Sequence, residues 1–140
     1  MNSSEIDWPR ILTRAAQMPE EAFEFVREGM KHTVQLRRRM DGTEAGSVVE
    51  AVSGRRARAE RHITGKELCE GLRDLASRRW GVLAPTVLRR WGIEGTEDFG
   101  TIVYALIDRG ELKAGPDDSI DDFKGVYDFE GAFASAAFRS

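Results

Sequence analysis

The chain has 140 residues, 41% hydrophobic and 32% charged, with one cysteine, two histidines and a net charge of −3. That is the size and balance of one ordinary soluble domain, able to bury a core without disulfide or metal staples. Cys69 alone excludes an internal disulfide, no apolar run of about 18 residues points to a membrane span, and no signal-peptide pattern opens the chain, so a cytoplasmic protein is expected.

The charge is unevenly placed. Residues 1–92 carry 17 Lys/Arg against 13 Asp/Glu, whereas residues 93–140 carry 4 against 11. Such asymmetry marks a surface for nucleic acid or another partner, or two halves that complement each other within one molecule or between two copies.

In chain order, Asp7 caps a short predicted helix with Trp8, Ile11, Leu12 and Ala15 on one side. A longer helix follows Pro19, with Glu20 and Glu21 in its first turn and an apolar stripe of Phe23, Val26, Met30 and Val34. Phe25, His32 and Leu36 form a second, narrower stripe about 180° away, which is either sandwiched or left for a partner.

Residues 41–61 hold three glycines and little large apolar content, and read as a flexible linker. With Arg37, Arg38 and Arg39 before it and Arg55, Arg56, Arg58 and Arg61 at its end, this stretch is the most basic in the chain. A basic arm of this kind suits phosphate backbones, although it lacks interleaved aromatics for base stacking.

Thr64 and Glu67 form a capping box for the third helix, whose apolar face includes Leu68, Cys69, Leu72, Leu75, Ala76 and Trp80. Cys69 falls inside that stripe, as a buried small hydrophobe would. Gly81 ends the helix, Pro85 opens a fourth, and Gly92 followed by Ile93 reads as a glycine cap with its hydrophobic contact. Thr96 is the expected cap of the fifth helix, with Phe99, Ile102, Val103, Leu106 and Ile107 inward and Glu97, Thr101, Ala105 and Asp108 outward. Trp80, Trp91, Phe99 and Val103 are expected to meet in one core. Leu112 begins a short extended piece, residues 115–118 turn, and Phe123, Val126, Tyr127, Phe129 and Phe133 form an aromatic return with neither a clean helical nor a strand period.

The whole predicts a mainly α fold: a five-helix domain whose C-terminal three helices, with a short strand and turn, are winged-helix-like. Its parts are a helical pair (1–40), the linker (41–61), a helical core with the aromatic return (62–133) and a tail (134–140). If such a helix entered a major groove, it would present Glu97, Asp98, Thr101 and Asp108, which phosphates would repel.

Chemistry-bearing signatures are scarce. There is no Gly-rich phosphate loop, metal-ligand cluster or nucleophile elbow, and two histidines with one cysteine do not make a tetrahedral zinc site without several carboxylates. His62, Cys69 and Asp74 do not converge, because Cys69 and Asp74 lie on different sides of one helix. No catalytic residue, metal or cofactor is therefore expected.

The runs His62-Ile-Thr-Gly-Lys-Glu-Leu-Cys-Glu-Gly-Leu-Arg-Asp-Leu-Ala, Arg90-Trp-Gly-Ile, Thr96-Glu-Asp-Phe-Gly and Asp122-Phe-Lys-Gly-Val-Tyr-Asp-Phe-Glu-Gly-Ala-Phe, with Glu21-Ala-Phe-Glu-Phe-Val, resemble a family of short bacterial conserved hypothetical proteins common in the Planctomycetes and Verrucomicrobia. The resemblance implies a cytoplasmic bacterial origin and no particular activity. The functional expectation is a non-enzymatic module binding another protein or a second copy of itself, through Phe25, His32 and Leu36 or through Phe123, Tyr127, Phe129 and Phe133. The alternative is a nucleic-acid or ribosome-associated protein using the basic arm of residues 37–61.

Overall fold

The computed structural model describes residues 6–41 and 63–134. Helix α1 spans Trp8–Ala16, and the Asp7 carboxylate accepts the Arg10 N–H at 3.3 Å. Helix α2 spans Glu20–Asp41. Helix α3, Gly65–Trp80, starts at the capping box: Thr64 Oγ1 accepts the Glu67 N–H at 3.1 Å and Glu67 Oε1 accepts the Thr64 N–H at 3.0 Å. A 3-10 turn, Gly81–Leu83, leads into α4, Ala84–Arg90, with its proline in the first turn. Gly92 then takes a left-handed φ of 86°, which lets the Ile93 N–H close on Leu88 O at 2.9 Å while Ile93 itself is buried.

Helix α5 spans Thr96–Asp108, a second 3-10 turn covers Ile120–Phe123, and α6 covers Phe129–Ala134. The mainly α class is as expected, with a sixth, short helix inside the aromatic return. No strand forms among the described residues: residues 112–119 make bends and a turn in which Asp118 Oδ2 accepts the Gly115 N–H at 2.6 Å. The strand of a wing is thus missing there, and only α3, α4 and α5 remain of that expected arrangement. Of the expected linker 41–61 and tail 134–140, Asp41 ends α2 and Ala134 ends α6, and the remaining residues, 42–61 and 135–140, lie outside the described residues.

Packing is organised on the α2–α3 pair. A Cβ on Gly71 would overlap the Thr33 hydroxyl and one on Gly29 would overlap the Leu72 side chain, so the two helices cross at glycine distance. Thr33, buried at this crossing, satisfies its hydroxyl by donating to Gly29 O at 2.6 Å. Helix α5 is the most deeply enclosed element, because α1 covers its second side: Trp8 lies 6.3 Å from Tyr104, and Arg14 bonds Asp98 and Gly92 O. Ala105, expected outward, is one helical heptad beyond Asp98 on the face that α1 covers, and is buried.

Aromatic rings connect the two ends of the described chain. Phe25 meets Trp80, Trp91 and Phe99 at centroid distances of 5.3, 5.9 and 6.4 Å, Phe99 meets Phe129 at 5.9 Å, and Phe129 meets Phe133 at 5.7 Å. Trp80, Trp91, Phe99 and Val103 all belong to this one core. The return is stitched down by polar contacts as well: Tyr127 donates its hydroxyl to Cys69 O at 2.7 Å, and Thr96 donates to Phe123 O at 2.6 Å while accepting the Val126 N–H at 3.2 Å. Thr96 is therefore a buried strut to the return, and its hydroxyl does not cap α5 as expected.

Candidate functional site

A cleft opens where α2, the start of α3, α5 and the chain between α5 and the second 3-10 turn come together. Met30, Leu68, Val103, Ile107, Leu112 and Phe123 give it an apolar interior of about 190 Å³. A second, wider depression lined by Thr64, Lys66, Asp117, Asp118 and Asp122 lies beside it and shares Thr64, Asp118 and Asp122 with it. The volume is slightly above the roughly 150 Å³ that hosts a benzene ring and below the roughly 300 Å³ at which drug-sized sites begin. The apolar interior is therefore the size of one amino-acid side chain.

Local chemistry fixes the walls. Gly110, at φ 83°, reverses the chain after α5 so that the Glu111 N–H reaches Leu106 O at 2.9 Å. Arg27 on α2 then holds Glu111 at 2.9 Å while also pairing Glu20 and Glu24, which sets where Leu112 leaves the helix. On the far wall, Asp122 Oδ2 accepts the Ser119 N–H at 3.1 Å and Ser119 Oγ accepts the Asp121 N–H at 3.1 Å. The acids at 118 and 122 thus serve as turn caps and as the rim of the cleft.

Tyr104 is the unusual member. It lines the cleft at 3% exposure, and its hydroxyl has no hydrogen-bond partner among the described residues, where a buried polar group is ordinarily satisfied. Burial, followed by the charges of Asp118 and Asp122, holds that hydroxyl in its protonated form above the usual tyrosine range.

The residues expected to face a partner are elsewhere, and most are inside. Phe25 is 1% exposed and buried in the aromatic core, which corrects its assignment to an available stripe: Trp80 at the end of α3 and Trp91, just after α4, supply rings that cover it. His32 bonds Asp74 on α3 at 2.6 Å, and Leu36, further along α2, is only partly exposed, so the second stripe is largely the α2–α3 packing face. Phe123, Phe129 and Phe133 are buried and Tyr127 is half-buried, because the return folds onto its own domain and fills the core. Of this set only Phe123 lines the cleft.

Of the arginines named for nucleic acid, Arg37 approaches Glu67 at 3.7 Å and Arg39 is exposed; Arg38, like Arg37, is engaged in interactions of its own. Arg55, Arg56, Arg58 and Arg61 lie outside the described residues, as does His62. Arg78, Arg79 and Arg89 pair with Asp74, Glu28 and Glu130. Cys69 is buried, and burial, with Glu70 nearby, pushes its thiol up to about 12, so it is no nucleophile at neutral pH.

The His32–Asp74–Arg78 chain gives a pH dependence. Burial alone would raise the Asp74 carboxyl, but the hydrogen bonds from His32 and Arg78 outweigh it and hold the group below its ordinary value. A depressed carboxyl stabilises the fold above the unfolded value of about 3.9 and loses that contribution as pH falls through the lower folded value. Asp74→Asn is therefore expected to be less stable than the parent at pH 6, with the gap closing below about pH 4. Urea denaturation across that range checks it, and a gap of constant size would sink the assignment.

Among the described residues, no group of three or more His, Cys, Asp or Glu is placed to hold a metal ion, and no helix is long and apolar enough to cross a membrane. No family model, curated protein or solved structure matches the chain.

Proposed function

We propose that this domain is a non-enzymatic protein-binding module whose cleft receives a single side chain of another protein. The observation that supports this reading is the cleft itself: apolar inside and sized for one side chain. Anchor residues that fill one preformed pocket carry much of the affinity of such complexes. The resemblance to short bacterial proteins leads us to place it in a bacterial cytoplasm.

The test is peptide display selected on the parent protein and rescreened on Ala114→Trp. Ala114 is exposed at the cleft, so the indole closes the opening without entering the core. Selected peptides are expected to bind the blocked variant at least tenfold more weakly. Equal binding to both proteins, or no enriched peptide at all, would remove the reading.

A further inference from the structure

Building on the cleft as a pocket for one side chain, we infer that the side chain it takes is glutamine, an uncharged carboxamide on a short unbranched stem. Three observations converge. Met30, Leu68, Val103 and Ile107 give the cleft apolar walls along which methylenes can lie. Tyr104 lines the same cleft, is almost wholly enclosed, and its hydroxyl has no hydrogen-bond partner among the described residues. Burial, with the charges of Asp118 and Asp122, keeps the proton on that hydroxyl, so it meets a ligand as a donor in want of an acceptor. Asp122, also on the cleft, accepts the Ser119 N–H on one carboxylate oxygen and has its other oxygen without a partner among the described residues, so the cleft offers an acceptor as well. Asp118 has an interaction of its own and takes no part in the match.

A donor and an acceptor that line one small cleft without bonding each other are bridged by a group that carries the complementary pair. The carboxamide does so: its oxygen accepts from Tyr104 and its N–H donates to Asp122, from two atoms set apart on one planar group. An ammonium has donors only and leaves the Tyr104 proton unmet, and a hydrocarbon leaves both groups unmet, the costly case for buried polar atoms. A carboxylate accepts from Tyr104, but it has no donor to return and brings a second anion beside Asp122. Lys113 is exposed, so an anion that it draws is held at the solvent edge, away from the enclosed hydroxyl. A thioether is a weak acceptor, and a hydroxyl carries donor and acceptor on one oxygen, so it joins two separate partners less readily. Asparagine has the same head on one methylene fewer and leaves more of the apolar wall uncovered.

The test uses the full chain and four probes of similar size: butyramide, pentan-2-one, butyrate and pentane, titrated while the methyl resonances of Ile107 and Leu112 are followed by NMR. Each probe is compared between variants, so that the cost of taking it out of water cancels. Tyr104→Phe is expected to weaken butyramide and pentan-2-one by about two- to tenfold, the net value of one hydrogen bond, and to leave pentane unchanged. Asp122→Asn, which keeps an oxygen for the Ser119 N–H, is expected to weaken butyramide by a similar factor and to leave pentan-2-one unchanged, because the ketone has no N–H. Butyrate is expected to bind the parent more weakly than butyramide does. Without any probe, Tyr104→Phe should melt no lower than the parent; a midpoint lowered by several degrees would show that the hydroxyl already has a partner, and would overturn the inference. Butyramide binding that is unaffected by either variant, pentane binding that falls as far as butyramide binding in Tyr104→Phe, or tighter binding of butyrate would overturn glutamine recognition and leave the cleft as an apolar anchor pocket. Failure of all four probes to shift the cleft methyls would remove both readings.

Discussion

Replacing Phe25 with alanine is expected to lower the unfolding free energy by about 3 to 5 kcal/mol, the range for removing a fully buried aromatic ring. Phe25 is 1% exposed and is the ring at which α2, α3, α4 and α5 meet, through Trp80, Trp91 and Phe99. The loss has two parts: the transfer free energy of the ring, and a cavity that these stacked neighbours, each held by its own helix, do not readily fill. Against a typical total of about 5 to 15 kcal/mol, that takes a large share of the stability. Urea denaturation of the two proteins measures it. A loss below about 1 kcal/mol would mean that Phe25 is not enclosed, and would return the second stripe of α2 to consideration as a partner surface.

The second large effect is expected from Gly100→Ala, where stability and the cleft change together. Alanine in a helix ordinarily gains up to about 1 kcal/mol over glycine. Here the new Cβ would stand 2.8 Å from Cγ and 2.9 Å from Cβ of Phe123, which is the root of that ring and not its movable tip. The ring cannot swing clear without shifting the backbone whose carbonyl accepts from Thr96 at 2.6 Å. Overpacking of this kind costs about 1 to 3 kcal/mol, so the net expectation is a loss of up to about 2 kcal/mol. Because Phe123 and Asp122 line the cleft, binding of the peptides selected on the parent protein should weaken in the same variant. Gly95→Ala is the control, since a Cβ there meets nothing within 4 Å. An unchanged melting curve for Gly100→Ala would show that Phe123 is not seated against α5.

The helices were legible because their signals are local. Asp7, Thr64 and Gly92 act within a few residues of themselves, and the elements begin or end beside them. What covers each face is a tertiary matter. A stripe such as Phe25, His32 and Leu36 has the same period whether a partner or the next helix lies on it, and here α3 brings Asp74 to His32. Thr96 shows the same limit at one residue. Its position before Glu97 and Asp98 reads as a cap, but its hydroxyl is drawn to Phe123, 27 residues later. The cleft was the least legible feature, for its walls come from α2, α3, α5 and an irregular loop, and Tyr104 sits among buried neighbours that give no hint of an unmet hydroxyl.

The stitching of the aromatic return has a consequence for how the molecule comes into being on the ribosome. Phe25 is made early, yet the ring ladder it starts ends at Phe133, and Arg14 and Arg27 find their acids at Asp98 and Glu111, each 84 residues later. Pairings this distant in sequence are slow to find relative to those of a simple helical hairpin. Until residue 133 has left the exit tunnel, α2 and α3 wait with an apolar face uncovered. For that interval the nascent chain offers a sticky surface that the finished protein conceals, and this is the stage at which aggregation or chaperone capture would act on it.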